Sequence, residues 1–501
     1  MRRVLIANRG EIALRIIRGC RTAGLETVAV YSDADVDAPH VQAADVAVRI
    51  GPPPAAESYL DGAALLEAAR RTGADAVQPG YGFRAERAHF ARAVEDAGLI
   101  FIGPPADAIE RLGSKTGARR FMEAAGVPVV PGITLDDQSD AALLAAGATL
   151  GAPLLVKPAA GGGGIGMKTV LHLNELPAAL ARARREAQAA FGNSTLYLER
   201  LIDRPRHIEV QIFGDRHGAI VHLFERECSA QRRHQKVVEE TPSPAVTPAL
   251  RARIGAAAVA AGHTVGFQNA GTVEFLLEGE GDDARFYFLE INARLQVEHP
   301  ITECVVGVDL VRAQLAVAAG EPLPWRQEDL TQRGHAIECR VYAEDPARGF
   351  LPQAGPLLRY REPSGPGLRV DAGVVEGGAV SVYYDPMLAK LIAYGDTREH
   401  CLARAREALT RFDILGLHTN LAFLQTLLAH PAFVAGQIDT GFLDRHLPEL
   451  TTATSVPVEV MAAAAWHASL GGLTATGATG AARAARAAST DPFDTIRGWR
   501  G

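Results

Sequence analysis

Gly271-Thr272-Val273-Glu274-Phe275-Leu276-Leu277 and Arg285-Phe286-Tyr287-Phe288-Leu289-Glu290-Ile291-Asn292 read as two strands of one hairpin, joined by a turn containing Gly279, Gly281, Asp282 and Asp283. The first run carries a single charged residue, Glu274. The second alternates, with Tyr287, Leu289 and Ile291 on one face and Phe286, Phe288, Glu290, Asn292 and then Arg294 on the other, because strand side chains repeat every second residue. Folding about the turn sets Glu274 opposite Glu290. Carboxylates at that range repel, and burial pushes their pKa values up unless a cation lies between them. Carboxylate and amide oxygens suit hard magnesium, which leaves positions open for phosphate oxygens. A solvated acidic hairpin has the same spacing, but the alternation sets these acids among aromatics and favours the metal reading. The run Gln296-Val297-Glu298-His299-Pro300 adds another acid beyond Arg294. A guanidinium and a carboxylate beside a dication suit holding and deprotonating a small oxyanion.

The bulk numbers agree with an enzyme of more than one domain: 501 residues, 48% hydrophobic, net charge −7. That charge gives no general pull toward nucleic acid or an anionic membrane. Cys20, Cys228, Cys304, Cys339 and Cys401 are scattered with no C-x-x-C pair, which argues against a disulfide framework or zinc site and fits a reducing cytosol. No secretory segment and no membrane span are expected.

Along the chain, Val4–Ala7, Thr27–Tyr31 and Ala74–Gln78 are short apolar strands alternating with helical patterns, as in a doubly wound sheet. Ligands of such sheets gather at the carboxyl ends of strands, where Asn8-Arg9-Gly10-Glu11 and Gln78-Pro79-Gly80-Tyr81-Gly82-Phe83 fall. The first turn lacks G-x-G-x-x-G, which weakens a dehydrogenase reading. Gly113-Ser114-Lys115-Thr116 lacks the glycine before the lysine and is not a Walker A loop. The strand Leu154–Lys157 runs into Ala159-Ala160-Gly161-Gly162-Gly163-Gly164-Ile165-Gly166, whose bare backbone N–H groups suit phosphate oxygens. A flexible linker has the same composition, and Lys157 at the strand end favours phosphate. Glu225 to Lys236 mixes charges densely. Its acids and lack of interleaved aromatics disfavour nucleic acid, leaving a solvated hairpin as the plain alternative. In Gly334–Glu344 the residues Glu338, Arg340 and Tyr342 share one face, which suits either an arginine held for an anion or an ordinary salt-bridged strand.

Glu290-Ile291-Asn292-Ala293-Arg294-Leu295-Gln296-Val297-Glu298-His299-Pro300 resembles the signature of biotin carboxylases, the ATP-grasp component of biotin-dependent acyl-CoA carboxylases of the alpha-subunit type, and the similarity runs from Val4 to about Leu443. The resemblance implies an α/β (α+β) ATP-grasp fold: an N-terminal Rossmann-like domain over 1–113, a mobile lid domain over 114–203, the ATP-grasp core and C-terminal domain over 204–450, and a tail over 451–501 leading toward a further domain. It implies ATP contacts from Lys115, Lys157, Gly162, Gly163, Gly164, Gly166, Glu199, Leu201, His207, His234 and Leu276. Magnesium or manganese would sit on Glu274, Glu290 and Asn292. Bicarbonate would meet Lys236, Arg294, Gln296, Val297 and Glu298, with Glu298 as base, and biotin would meet Tyr81 and Arg340. Lys236, Arg294, Glu298 and Arg340 form the expected catalytic set. No Ala-Met-Lys-Met acceptor occurs, so biotin is expected on a carrier domain or protein, with a carboxyltransferase subunit as a second partner and a cytoplasmic homodimer as the assembly. The sequence departs from the family at Gln78, where histidine is usual, at Arg84 and Arg87 after the Tyr81 motif, and at Ile165 in the glycine run. An ATP-grasp ligase using ammonia and a nucleotide-binding scaffold are the other readings. The match at Arg340 disfavours the first, and the complete acid and arginine set disfavours the second.

Overall fold

The computed structural model describes residues 1–160, 166–451 and 458–474. At the amino terminus β1 (Arg3–Ile6), β2 (Glu26–Ser32), β3 (Val46–Gly51), β4 (Ala76–Gln78) and β5 (Ile100–Phe101) form a parallel sheet in the order β3-β2-β1-β4-β5, with α1 (Gly10–Thr22) crossing from β1 to β2. Burial on both faces explains why Val4, Leu5, Ile6 and Val28, Ala29, Val30 read as unbroken apolar runs. Strand order reverses between β1 and β4, and the loops leaving their carboxyl ends meet there. Asn8 clamps them together, its Nδ2 donating to the carbonyls of Pro79 and Tyr81 at 2.7 Å each.

The next unit is a small antiparallel sheet, β6 (Gly132–Ile133), β7 (Leu154–Pro158), β8 (Lys168–Val170) and β9 (Leu196–Arg200), in the order β6-β9-β7-β8. The helices Asp140–Leu150 and Leu176–Phe191 contribute Leu143, Leu176 and Leu180 to its own core, with Leu154, Val156 and Leu198. Gly162, Gly163 and Gly164 lie outside the described residues. Gly166 takes φ +78°, and a Cβ there would stand 2.9 Å from the Pro158 ring, so this end of the run requires glycine.

The largest sheet has eight strands: β10 (Arg206–Gly214), β11 (Ile220–Arg232), β12 (Gln235–Thr241), β13 (Asn269–Glu278), β14 (Arg285–Asn292), β15 (His335–Tyr342) and the strands Leu368–Ala372 and Met387–Gly395. Its order is β14-β13-β10-β11-β12-β15, followed by Met387–Gly395 and Leu368–Ala372. The expected hairpin is β13 and β14, and Glu274 faces Glu290 in the register. The expected alternation holds only in part. Phe275 pairs with Phe288, so Leu289 is an extra residue on β14 and a β-bulge. The bulge shifts the period by one. Phe286, Phe288 and Ile291 all enter the core with Val273, Phe275 and Leu277, whereas Glu290 lines the cleft on the opposite side with Glu274.

A second correction concerns Glu225 to Lys236. It is a hairpin, but not a solvated one: Glu225, Arg226, Glu227, Ser229, Gln231 and Arg232 are buried. β11 lies inside the sheet between β10 and β12, so its charges find partners within the protein. The turn is Arg233-His234, with φ of +49° and +65°. Two non-glycine residues in the left-handed region cost roughly 1–2 kcal/mol each, and the two-residue hairpin geometry demands it.

Five free cysteines agree with the absence of a disulfide framework among the described residues. No helix among them is long and apolar enough to cross a membrane. The alanine-rich tail forms a helix over Val458–Thr474, while Asp491 to Arg500 lie outside the described residues.

Gly373 joins the large sheet to the first unit, because a Cβ there would meet the Glu11 backbone nitrogen at 2.6 Å and the Gly10 Cα at 2.9 Å. Backbone cannot yield as a flexible side chain does. Gly373→Ala is expected to destabilise the protein by about 1–3 kcal/mol, measured by denaturant unfolding; an unchanged midpoint would show that the seam is loose.

Candidate active site

The site grows out of the register of the large sheet. Glu209 on β10 lies opposite Glu274 on β13 and, on its other side, opposite Arg226 on β11. Directly opposed residues share a face, so acid, acid and guanidinium form a row. Lys236, at the start of β12, reaches into this row. Its Nζ donates to Glu274 Oε1 at 2.9 Å, to Glu298 Oε1 at 2.7 Å and to Glu209 Oε2. Arg226 is fully buried and spends all its N–H groups, on Glu209, Gln211, Thr272, Gln296 and Thr302. Burial would lower the Lys236 pKa, but Glu209, Glu274 and Glu298 outweigh it and hold the ammonium charged.

Glu298 stands at the start of the helix His299–Val306 and is buried. Its second oxygen accepts from Arg340 Nη2 at 3.0 Å, and Arg340 Nε donates to Glu239 at 2.6 Å. Burial pushes the Glu298 carboxyl up, but Lys236, Arg340 and Arg226 together hold it well below the usual carboxylate range. In this state Glu298 is firmly ionised and a weak base.

Two cavities flank this cluster, one reached through Glu274 and the other through Arg340, while Lys236, Glu209 and Glu298 themselves line neither. One, about 370 Å³, is lined by Lys115, Lys157, Glu199, Leu201, His207, His234, Leu276 and the acids Glu274 and Glu290. The residues expected at ATP therefore come together, apart from the glycines. Glu199 is not a free contact: its oxygens accept from Arg119 at 3.0 Å and Lys157 at 2.9 Å. Burial would lower the Lys157 pKa, but Glu199 outweighs it and keeps the charge in place. Burial lowers the pKa of Lys115, with Glu290 opposing. His207 Nε2 lies 3.1 Å from Glu274 Oε2, and that acid overcomes burial and raises the imidazole pKa. Burial lowers that of His234.

The other cavity, about 490 Å³, opens at the switch point of the parallel sheet and is lined by Asn8, Arg9, Tyr81, Arg294, Val297 and Arg340. Arg294 is braced by Glu86 at 2.8 Å and by Asn292 Oδ1 at 3.0 Å. Gln296 lines neither cavity; its amide oxygen accepts from Arg226 at 2.7 Å and its nitrogen donates to Glu274 at 3.0 Å. Gln78 is buried and turned to Gln314 and the Gly80 backbone, so its departure from the family pattern supports a loop.

The expected metal residues fit a hard cation in type and charge. Burial, with Glu274 adding to it, raises the Glu290 carboxyl, and no hydrogen bond engages that carboxylate among the described residues. A dication would relieve both effects. Asn292 gives its N–H to Glu274 at 3.0 Å and its oxygen to Arg294, so as an oxygen donor toward Glu274 it would turn its amide over.

The comparisons agree along the chain. Residues 1–109 match the biotin carboxylase N-terminal domain, 114–326 the carbamoyl-phosphate synthase L chain ATP binding domain, and 338–445 the biotin carboxylase C-terminal domain. The biotin carboxylase of Halalkalibacterium halodurans is 51% identical over 448 residues, covering 89% of this chain and 98% of that one. The chain belongs to the biotin carboxylase family. Methylcrotonoyl-CoA carboxylase subunit alpha of Arabidopsis thaliana is 50% identical over 91% of this chain, which spans 62% of that relative's length. Among solved structures, the biotin carboxylase of Campylobacter jejuni in complex with β,γ-ATP superposes with a TM-score of 0.85 at 40% identity, covering 89% of this chain and 99% of that one. The biotin carboxylase domain dimer of the Hydrogenobacter thermophilus 2-oxoglutarate carboxylase, in complex with MgADP, ADP and bicarbonate, gives 0.85 at 41%, covering 91% and 99%. The fold is ATP-grasp, as the family resemblance implied.

Sequence reading passed over Glu86, Glu209, Arg226 and Ile202, the last of which lines the first cavity. Glu86 stands between Arg84 and Arg87, two of the departures from the family pattern. Nothing local distinguishes Glu209 or Arg226 from ordinary strand charges, since their partners come from other strands.

A depressed carboxyl pKa stabilises above the ordinary carboxylate value and loses that contribution as pH falls through the folded value. The gap in melting temperature between the protein and Glu298→Gln is therefore expected to stay constant down to about pH 5 and to close below about pH 4. A gap that closed near neutrality would contradict the ion pairing seen here.

Proposed function

We propose that this protein carboxylates biotin, using ATP to activate bicarbonate as carboxyphosphate, in the first half-reaction of a biotin-dependent, acyl-CoA type carboxylase. The observation that carries this reading is Lys236, bonded to Glu209, Glu274 and Glu298 between a cavity that Glu274 lines and one that Arg340 lines. ATP belongs in the cavity of Lys115, Lys157 and His234, with its adenine against the β9 end near Leu201 and Ile202. The nucleotide and bicarbonate complexes of related biotin carboxylases support that assignment. Glu274, Glu290 and Asn292 would hold magnesium or manganese, which when bound neutralises phosphate oxygens and assists phosphoryl transfer.

Bicarbonate enters beside Arg294 and the Val297 backbone and takes over Lys236. That exchange removes the strongest charge holding the Glu298 pKa down, so the acid becomes a better base as its substrate arrives. The bicarbonate proton passes to Glu298, its oxygen attacks the γ-phosphorus, and the bond to ADP breaks. Carboxyphosphate then divides into carbon dioxide and phosphate. The phosphate accepts the N1 proton of biotin, and N1 attacks carbon dioxide. Arg340 leaves Glu298 but stays anchored on Glu239, free to face the ureido oxygen, with Tyr81 on the same wall. Phosphoryl transfer needs mainly positioning and charge compensation, which these groups supply.

The same reading includes biotin on a carrier domain or protein, a carboxyltransferase partner, a homodimer, a cytoplasmic location and divisions near 113/114, 203/204 and 450/451. The dimeric domain from Hydrogenobacter thermophilus supports the homodimer, and the alpha subunits this chain resembles support the partners; the cytoplasmic location rests on the scattered free cysteines alone. Glu298→Gln is expected to lower bicarbonate-dependent ATP hydrolysis about 100- to 1000-fold while leaving nucleotide binding near normal; retained turnover would refute the base. Free biotin should stimulate the wild-type hydrolysis, whereas an ammonia-using ligase would show no response and a scaffold no activity.

A further inference from the structure

Lys390 lies outside the catalytic set, yet it is fully buried in the strand Met387–Gly395, directly opposite Arg340 in the ladder. A buried ammonium is costly unless paired. Its partners are Glu11 Oε1 at 3.3 Å and Asp371 Oδ2 at 4.0 Å, and its Nζ donates to the Val297 carbonyl at 2.7 Å. The same Glu11 oxygen accepts from the Tyr81 hydroxyl, and the other Glu11 oxygen is buried without a partner. One continuous link thus runs from Tyr81 on the β4 loop, through Glu11 at the start of α1, to Lys390 and the peptide between Val297 and Glu298. That peptide carries the groups that would orient bicarbonate. Its carbonyl, a single acceptor in the crook of the loop, is fixed by a charged donor rather than by sheet hydrogen bonding.

We propose that Lys390 is a positioning residue for the bicarbonate step, holding the Val297–Glu298 peptide in register and tying it through Glu11 to Tyr81. The inference rests on the biotin carboxylase reading above. Lys390 touches neither bicarbonate nor nucleotide; it acts through the loop that does. Loss of the link frees the peptide to turn, and a misplacement of about 1 Å at such a loop costs on the order of 100-fold in rate. The nucleotide cavity is lined by neither Lys390 nor Glu11, so ATP affinity is independent of the link.

The test compares wild type, Lys390→Met and Glu11→Gln as full chains, reading KM for bicarbonate, KM for ATP and kcat of bicarbonate-dependent ATP hydrolysis. The expected result is a bicarbonate KM raised at least about tenfold in Lys390→Met and less in Glu11→Gln, with the ATP KM within about twofold of wild type. Should Lys390→Met not fold, the same split in Glu11→Gln decides. Equal rises in both KM values would mark a merely structural lysine and overturn the proposal, as would an unchanged bicarbonate KM. A wild-type protein with no bicarbonate-dependent hydrolysis would instead bring down the functional reading, and this proposal with it.

Discussion

Lys236 surrounded by Glu209, Glu274 and Glu298 is the constraint on which the rest of the site depends. Acids brought this close inside a protein would otherwise protonate or force the strands apart. One ammonium touches all three, and further positive charge comes from Arg226 at Glu209 and Arg340 at Glu298. On the proposed reading the arrangement is poised: an anion that drew Lys236 away would weaken the grip on Glu298 and raise its base strength.

The architecture exists to bring this cluster to a junction. The large antiparallel sheet sets the row of charges by register, the small sheet β6–β9 brings Lys157 to one side, and the parallel sheet opens its switch point on the other. Three side chains proposed to meet a reactant are braced by another: Arg294 by Glu86, Arg340 by Glu239 and Lys157 by Glu199. Such bracing fixes charges in place before reactants arrive, which is where preorganised electrostatic catalysis has its advantage.

Much of this was legible in the chain itself. The hairpin, the opposition of Glu274 and Glu290, and the loops at the ends of β1 and β4 follow from periodicity and turn residues. Two features did not follow. The bulge at Leu289 leaves no local signal, because a bulge is a property of a strand pair, and it reversed which face Phe286 and Phe288 occupy relative to Glu290. The burial of Glu225, Arg226 and Glu227 was hidden because charge density argues for solvent until the neighbouring strand supplying Glu209 and Gln211 and the helix supplying Arg251 are in view. Glu86 and Lys390 act on residues far away in sequence, where a single chain read alone gives no pairing. The resemblance to biotin carboxylases, by contrast, pointed at once to the lysines, histidines and glutamates that line the first cavity.

The claim that this cluster makes bicarbonate phosphorylatable by ATP is tested most directly by following heavy-oxygen-labelled bicarbonate into products. Direct attack on the γ-phosphorus predicts that labelled oxygen appears in the released phosphate when biotin is carboxylated. Phosphate free of label, with carboxybiotin still formed, would contradict it and leave the buried acids and their lysine without the part assigned to them.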